Sequence, residues 1–159
     1  MPTWSEILQE LNVTSVQGQP DFDGVRRKYL VQLYQYTKRN VILYASGWLQ
    51  KRNAPPELTS INDEDVQALM EVCYALDGNN LDLIIHSPGS SPEAAEAIVS
   101  YLRSRFSDIR VIVPQLAMSA ATMIACSGDQ IMLGKYSSLG PTDPQILTAT
   151  SLGVRALPA

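Results

Sequence analysis

The chain has 159 residues, near the size of one typical domain, and 45% of them are apolar, which is enough for one sizeable core. Its 12 Lys and Arg residues against 16 Asp and Glu residues give a net charge of -4 at pH 7. An acidic chain does not favour a polyphosphate partner, so we expect no nucleic acid among its partners.

The cysteines and the apolar runs bear on the compartment. Cys73 and Cys126 fall on apolar helical faces, and neither has a second Cys or His at the spacing of metal ligands. We therefore expect two buried free thiols in a reducing compartment, and no metal. No apolar run approaches the ~20 residues of a membrane span, and residues 1–6 lack the basic start of a signal peptide. The sequence predicts a cytoplasmic protein with no membrane span.

Residues 1–40 are predicted to form a helical extension. Over residues 3–11, apolar side chains recur at the spacing of a short amphipathic helix, at Trp4, Ile7, Leu8 and Leu11. Residues 17–23 form a polar connector, after which Asp23 or Gly24 can cap a second helix that runs to about Thr37. Large apolar side chains on this helix and beyond it are candidate positions of an oligomer interface. They are Tyr29, Leu33, Tyr34, Tyr36 and Trp48.

Strand and helix signals alternate in the rest of the chain. Apolar runs predict strands at residues 41–45, 81–85, 109–113 and 130–133. Between them, Asn62 caps a helix with an acidic first turn, and Ser91 caps another whose first position is Pro92. A third helix is predicted over residues 119–126. Such alternation predicts an α/β fold, a mainly parallel sheet of β-α-β units with right-handed crossovers.

Two segments follow the carboxyl ends of neighbouring predicted strands. Residues 86–90 lead from one strand to the helix capped by Ser91, and residues 114–118 lead from the next strand to Ser119. In open α/β folds, ligand-binding groups gather beyond the carboxyl ends of the strands. The sequence therefore predicts that two helix N-termini face one cleft.

Ser119 is the candidate nucleophile of that cleft. Hydrolysis of an amide needs a nucleophile, a base that takes its proton, and donors for the oxyanion. At the start of a buried helix, the Ser119 hydroxyl lies at the positive end of the helix dipole, and the Ala120 N–H is free to donate. The alternative is that Ser119 is only an N-cap, the commonest use of serine at that position.

Several separated motifs carry a family resemblance. Ser87, Pro88 and Gly89 occur with motifs at residues 44–50, 60–65, 113–125 and 139–145, in this order. Within the Clp/crotonase superfamily, the set resembles the Clp-fold serine proteinases of the serine dehydrogenase proteinase (SDH) family, relatives of signal peptide peptidase A. The resemblance covers roughly residues 29–159. It implies a Clp/crotonase-like fold over residues 41–159, with the N-terminal helices outside the sheet.

The resemblance implies a function. It predicts a serine endopeptidase without a cofactor, which cleaves peptide bonds in extended or unfolded segments and assembles as a homo-oligomer. The alternative is a catalytically inactive Clp-fold module for interaction or scaffolding. Residues 148–159 end without a predicted closing element, whereas the family continues further, so we expect a domain truncated at its C-terminus.

The oxyanion loop is assigned through the resemblance. Gly89 and Ser90 would face Ala120 across the site, each wall supplying a backbone N–H. The family shows two successive glycines in this loop, and Ser90 replaces the second one. Ala121 stands where the family usually has glycine. Both departures bear on activity more than on fold.

Three side chains are candidates to assist Ser119. His86 is the single histidine, and it acts either as general base or by ordering its loop through a side-chain hydrogen bond. Lys135 lies 16 residues after Ser119 and would act as in the Ser-Lys dyads of signal peptide peptidase A. Asp143 either supports the site or stabilises a turn. The histidine of the Clp triad would fall near residues 142–143, so that triad is not preserved.

Overall fold

The computed structural model describes residues 2–16, 18–143, 145–150 and 153–158. The chain divides into two compact units, Met1–Val41 and Ile42–Ala159. None of the helices in the described residues is long and apolar enough to cross a membrane.

The first unit begins with a helix and a small hairpin. Helix α1 (Trp4–Val13) starts after Thr3, whose hydroxyl accepts the Glu6 N–H while the Glu6 carboxylate accepts the Thr3 N–H. Strands β1 (Ser15–Val16) and β2 (Gln19–Pro20) pair antiparallel. The predicted first helix is confirmed, and the polar connector that follows it contains a strand.

The second helix of this unit, α2 (Phe22–Thr37), starts earlier than predicted. Its cap is Asp21, whose carboxylate accepts the Gly24 N–H at 2.8 Å. The prediction of Asp23 or Gly24 as the cap is therefore wrong. Asp21 reaches the third N–H of the helix, and Asp23 already lies in the first turn.

From Asn40 onward, the described residues contain eight strands and three α-helices. The strands are β3 (Asn40–Ala45), β4 (Asn80–His86), β5 (Asp108–Val113), β6 (Leu116–Ala117), β7 (Gln130–Leu133), β8 (Ser138–Leu139), β9 (Gln145–Thr150) and β10 (Gly153–Pro158). The helices are α3 (Asp63–Tyr74), α4 (Pro92–Arg105) and α5 (Ala120–Cys126), and a short 3-10 helix covers Pro56–Leu58.

Four of these strands form the central sheet, in the order β3-β4-β5-β7. Strands β4, β5 and β7 are parallel, with Leu81 opposite Ile109 and Val111 opposite Ile131. The predicted parallel α/β sheet is therefore confirmed.

The helices that flank this sheet start at the predicted caps. The Asn62 side chain accepts the Glu64 N–H at 2.8 Å, and Ser91 Oγ accepts the Ala94 N–H at 3.0 Å. These caps fix where α3 and α4 begin, directly after the segments that contain Ile61 and Ser90.

The two cysteines differ in exposure. Cys73 on α3 is buried in the core, whereas Cys126 at the end of α5 is exposed. The prediction that both thiols are buried is wrong for Cys126. Met123 and Cys126 are three residues apart on α5 and therefore share a helix face, and both are exposed on it.

Short pairings continue beyond the central sheet. Strands β6 and β8 are parallel, and isolated bridges join Ser87 to Ala117 and Ile61 to Ser90. Strands β9 and β10 form an antiparallel pair. The sequence predicts no strand over residues 148–159, so the strands that cover 148–150 and 153–158 are an addition to it.

Candidate active site

Ser119 lies between β6 and α5 in a conformation that is rare for a residue with a side chain. Its φ is 50° and its ψ is -122°, in a region that side chains normally avoid. Ser119 is exposed, while Ala120 and Ala121 directly after it are buried. The turn therefore presents the Ser119 side chain at the end of a buried helix, as sharp strand-to-helix turns do for nucleophiles.

A capping role would require the Ser119 hydroxyl to accept an N–H from the first turn of α5. Among the described residues, Ser119 forms no such side-chain hydrogen bond. The Thr122 N–H donates to the Ser119 backbone carbonyl instead, at 2.8 Å. The hydroxyl is thus not committed to the helix.

The backbone of Gly89 lies directly against this turn. Gly89 has a φ of +88°, and a Cβ added to it would lie 2.4 Å from the Met118 carbonyl oxygen, 2.8 Å from Ala120 N and 2.9 Å from Ser119 Cβ. Only glycine fits this position, both for space and for backbone conformation. The structure thus brings Ser119 and Ala120 together with the predicted Gly89 loop.

The peptide between Gly89 and Ser90 is oriented by a neighbour on its other side. The Ile61 N–H donates to the Gly89 carbonyl at 2.8 Å. Because the C=O and N–H of a trans peptide point in opposite directions, the Ser90 N–H points away from Ile61. Three residues before Ser90, the same segment also pairs with β6, through the bridge between Ser87 and Ala117.

Two backbone N–H groups here have no acceptor within the described part of the chain, those of Ser90 and Ala120. The Gly89 N–H, the other predicted donor, donates to Ser87 Oγ at 3.2 Å. Ser90 adopts a φ of 130°, a glycine-like conformation despite its side chain. Of the backbone N–H groups of Gly89 and Ser90, only that of Ser90 is therefore without an acceptor among the described residues.

Buried Thr122 holds the helix that follows Ser119. Its hydroxyl donates to the Ala117 carbonyl at 2.7 Å, and it accepts the Gly140 N–H at 3.0 Å. These bonds tie α5 to β6 and to the segment after β8, which fixes the turn at Ser119.

His86 is engaged with the loop that precedes Ser119. Its Nδ1 lies 3.1 Å from the Leu116 carbonyl oxygen and 3.3 Å from Leu116 N. One protonation state of Nδ1 allows only one of these contacts, because the atom either donates or accepts. The ring also stacks on Trp48, with the centroids 6.2 Å apart. The imidazole is thus in contact with the loop that precedes Ser119 and with Trp48.

Lys135 and Asp143 are both exposed. The Lys135 ammonium lies over the Tyr136 ring, 5.8 Å from its centroid. The described residues show no hydrogen bond from Ser119 to either side chain, nor any group of three His, Cys, Asp or Glu residues that could hold a metal. Among the described residues, the predicted nucleophile Ser119 therefore lies beside backbone N–H groups and forms no hydrogen bond to Lys135 or Asp143.

Sequence reasoning missed a polar network behind the Gly89 loop. Ser87 is fully buried, and the Tyr44 hydroxyl hydrogen-bonds to both Ser87 and Asp65. Burial and the Asp65 charge raise the pKa of Tyr44 above its usual value. Tyr44 also lines a polar cleft of about 370 Å³, together with Lys51 and Asp65. The signal was a tyrosine near the end of β3 and a serine directly after β4.

With this geometry in view, comparisons identify the family. The family model described as ClpP-like SDH-type serine proteinase matches residues 57–155, more than half of the chain. The chain belongs to this family, and its parallel α/β sheet is of the ClpP-like class. The relation to signal peptide peptidase A stays a prediction.

Two curated relatives come from Methanocaldococcus jannaschii. The uncharacterized protein MJ0137 is 38% identical over 92 residues, which are 57% of this chain and 32% of the relative. The uncharacterized protein MJ1495 is 42% identical over 66 residues, 42% of this chain and 23% of the relative. The chain thus spans about a third or less of the length of these relatives.

Solved structures of ClpP proteases are also similar. A ClpP1 mutant from Listeria monocytogenes has 17% identity and a TM-score of 0.45, covering 60% of this chain and 51% of the other. The catalytic domain of the ClpP protease from Plasmodium falciparum has 25% identity and a TM-score of 0.46, covering 65% of this chain and 59% of the other.

Proposed function

We propose that this chain carries the nucleophile of a serine endopeptidase that cleaves peptide bonds in extended or unfolded segments. The observation that supports it most is the setting of Ser119. Its side chain is exposed, makes no capping bond among the described residues and lies against Gly89. Backbone strain of this kind costs on the order of 1–3 kcal/mol and clusters at active sites. A serine used only as a cap would need no such conformation.

The proposed reaction is acyl transfer. Ser119 Oγ attacks the carbonyl carbon of the scissile peptide bond, and its proton passes to a general base. The carbonyl oxygen becomes an oxyanion that the Ala120 and Ser90 N–H groups stabilise. Collapse of this intermediate returns the proton to the leaving amine, and water then hydrolyses the acyl-enzyme.

Lys135 and His86 are the candidate bases of this proposal, with Asp143 as a supporting carboxylate. Removal of a true base by Lys135→Ala or His86→Ala should lower kcat about 10²- to 10⁴-fold. His86→Asn separates the two roles of the imidazole, because its amide can still bond to the Leu116 backbone. Activity that survives in His86→Asn but not in His86→Ala indicates loop ordering.

The backbone around Ser119 supports the proposal that substrates bind as extended segments. The segments on both sides of Gly89 pair with neighbours through strand-like bridges, at Ser87 and at Ser90. A peptide that enters such a site can bond to backbone groups, as in strand addition, with little dependence on its sequence.

We also propose a homo-oligomer. Tyr34 and Tyr36 are 51% and 88% exposed, whereas Tyr29, Leu33 and Trp48 are half-buried. Exposed aromatic side chains grouped on one helix favour an interface. Light scattering at micromolar concentration should show an assembly larger than one chain, and a monomer would contradict the proposal.

A cytoplasmic location is part of the same proposal. Both cysteines are free thiols in the structure. Free thiols fit a reducing compartment, because oxidising compartments favour disulfides. Fractionation of cells that express the tagged protein tests the location.

Active-site labelling tests the proposed activity. The folded protein is treated with a fluorophosphonate probe, and the adduct is located by peptide mapping. An adduct on Ser119, absent from Ser119→Ala and from heat-unfolded protein, supports the peptidase. No adduct on the folded protein would instead support the catalytically inactive interaction module.

A further inference from the structure

Ser87 connects the Gly89 loop to the protein interior. Its side chain is fully buried, and its Oγ accepts the Gly89 N–H at 3.2 Å. A serine hydroxyl has one proton and two lone pairs, so its single proton is available to one acceptor. The Tyr44 hydroxyl oxygen is that acceptor, because the two side chains are hydrogen-bonded.

Tyr44 also connects Ser87 to a carboxylate. Its hydroxyl is also hydrogen-bonded to Asp65, and a carboxylate can only accept. The Tyr44 proton is therefore directed to Asp65, which leaves its oxygen lone pairs for Ser87. Asp65 in turn is fixed, since its Oδ2 accepts the Asn62 N–H at 2.9 Å in the capping box of α3.

The direction of these hydrogen bonds determines whether Ser87 Oγ faces the loop with its proton or with its lone pairs. With its proton committed to Tyr44, Ser87 Oγ presents lone pairs to the Gly89 N–H. This bond and the bond from the Ile61 N–H to the Gly89 carbonyl, at 2.8 Å, hold the two peptides that flank the Gly89 Cα. With both peptides held, the Ser90 N–H stays directed away from Ile61.

We propose that Tyr44 is a positioning residue of the proposed peptidase, which acts through Ser87 to hold the Gly89 amide and thereby aims the Ser90 N–H at the oxyanion. This inference rests on the proposed function for its effect on catalysis. Its structural part, the hold on the Gly89 amide, does not depend on activity.

The first test is Tyr44→Phe, which removes the hydroxyl and keeps the ring. We expect kcat and kcat/KM for a peptide substrate to fall together by about tenfold, with KM nearly unchanged, because oxyanion contacts form only in the transition state. The loss should stay below the about 10²- to 10³-fold cost of removing a donor outright. The second-order rate of fluorophosphonate labelling at Ser119 should fall in parallel.

Tyr101→Phe is the matched control. Tyr101 packs against the same core and its hydroxyl donates to the Met70 carbonyl at 3.4 Å, so this change removes a hydroxyl without touching the loop. It should leave kcat and labelling unchanged. In a double-mutant cycle, we expect Tyr44→Phe to lower kcat little further once Ser87→Ala is present, because Tyr44 acts through Ser87.

Amide hydrogen exchange gives a readout that needs no activity. Exchange at Gly89 should be faster in Tyr44→Phe and in Ser87→Ala than in the wild type or in Tyr101→Phe. Unchanged Gly89 exchange in a folded Tyr44→Phe protein overturns the inference, even if the wild type is an active peptidase. Absence of labelling in the wild type instead overturns the proposed function, and faster Gly89 exchange would still support the hold by Tyr44.

Discussion

Gly89 is packed against the turn at Ser119, so closely that a methyl group on Gly89 would lie 2.9 Å from Ser119 Cβ. This contact joins the segment after β4 to the turn before α5. It brings the Gly89 loop beside the proposed nucleophile.

Gly89→Ala should therefore disrupt both stability and labelling. A positive φ costs an alanine about 1–2 kcal/mol, and the clash with the Met118 carbonyl adds about 1–3 kcal/mol. Gly78→Ala is the control, since Gly78 has a φ of +83° and nothing within 4 Å of an added Cβ. Urea unfolding should show a distinctly larger loss for Gly89→Ala, and equal losses would contradict the close packing.

Ser119→Ala should abolish fluorophosphonate labelling and leave the free energy of unfolding nearly unchanged. The reason is that the Ser119 hydroxyl makes no cap bond among the described residues. Ser91→Ala is the matched comparison and should cost about 1 kcal/mol, because Ser91 Oγ caps α4. If Ser119→Ala were as destabilising as Ser91→Ala, Ser119 would have a capping role.

Ser90→Gly should stabilise the protein by about 1 kcal/mol. Serine at a φ of 130° is strained by about 1–3 kcal/mol, and part of the gain from removing this strain is offset by the greater chain entropy of glycine in the unfolded state. Labelling at Ser119 should persist, since the proposed donor is a backbone N–H. Ser100→Gly, in the exposed interior of α4, should instead destabilise by about 0.5 kcal/mol.

Thr122→Val should destabilise by about 1–3 kcal/mol and slow labelling. The valine keeps the shape but removes the buried hydroxyl that bonds to the Ala117 carbonyl and the Gly140 N–H. Thr122→Ser keeps these bonds and should lose only about 0.8 kcal/mol for one methyl group. Equal stability of the valine variant and the wild type, by urea unfolding, would show that these bonds contribute nothing.

Asp129 should contribute to the acid sensitivity of the second unit. The Arg103 guanidinium at 2.7 Å and the Ile109 N–H at 2.8 Å lower the pKa of Asp129 below its usual value. A lowered folded-state pKa stabilises above the unfolded-state value of about 3.9 and is lost as pH falls through the folded value. Asp129→Asn should therefore flatten the fall of the urea midpoint below about pH 4. An unchanged acid limb would contradict this.

The fold was predictable where the signals are local. The β4 and β5 runs alternate with helices whose caps, Asn62 and Ser91, are marked in the sequence itself. The exposure of Cys126 was not predictable in this way. Helix α5 is made almost entirely of small and apolar residues, so its sequence does not distinguish an outer face from an inner one.

The candidate site was predictable in part for the same reason. Gly89 and Ser119 lie in the segments that follow β4 and β5, and parallel strands bring such segments to one edge of the sheet. Which loop N–H is free depends on Ile61, which lies far from Gly89 in sequence and pairs with it only in the folded chain. A general base depends equally on distant residues, and neither His86 nor Lys135 carries a local mark of its partner.

The site segments are joined by single bridges, Ser87 to Ala117 and Ile61 to Ser90. Because these pairings are between backbone groups, most side chains along them can be exchanged without moving the amides. The length of the segment is constrained, since one insertion or deletion between Ser87 and Ser90 would shift the backbone amides to the wrong partners. Relatives of this chain should therefore keep the length of this loop together with Ser87 and Gly89, and vary more readily at Pro88 and Ser90.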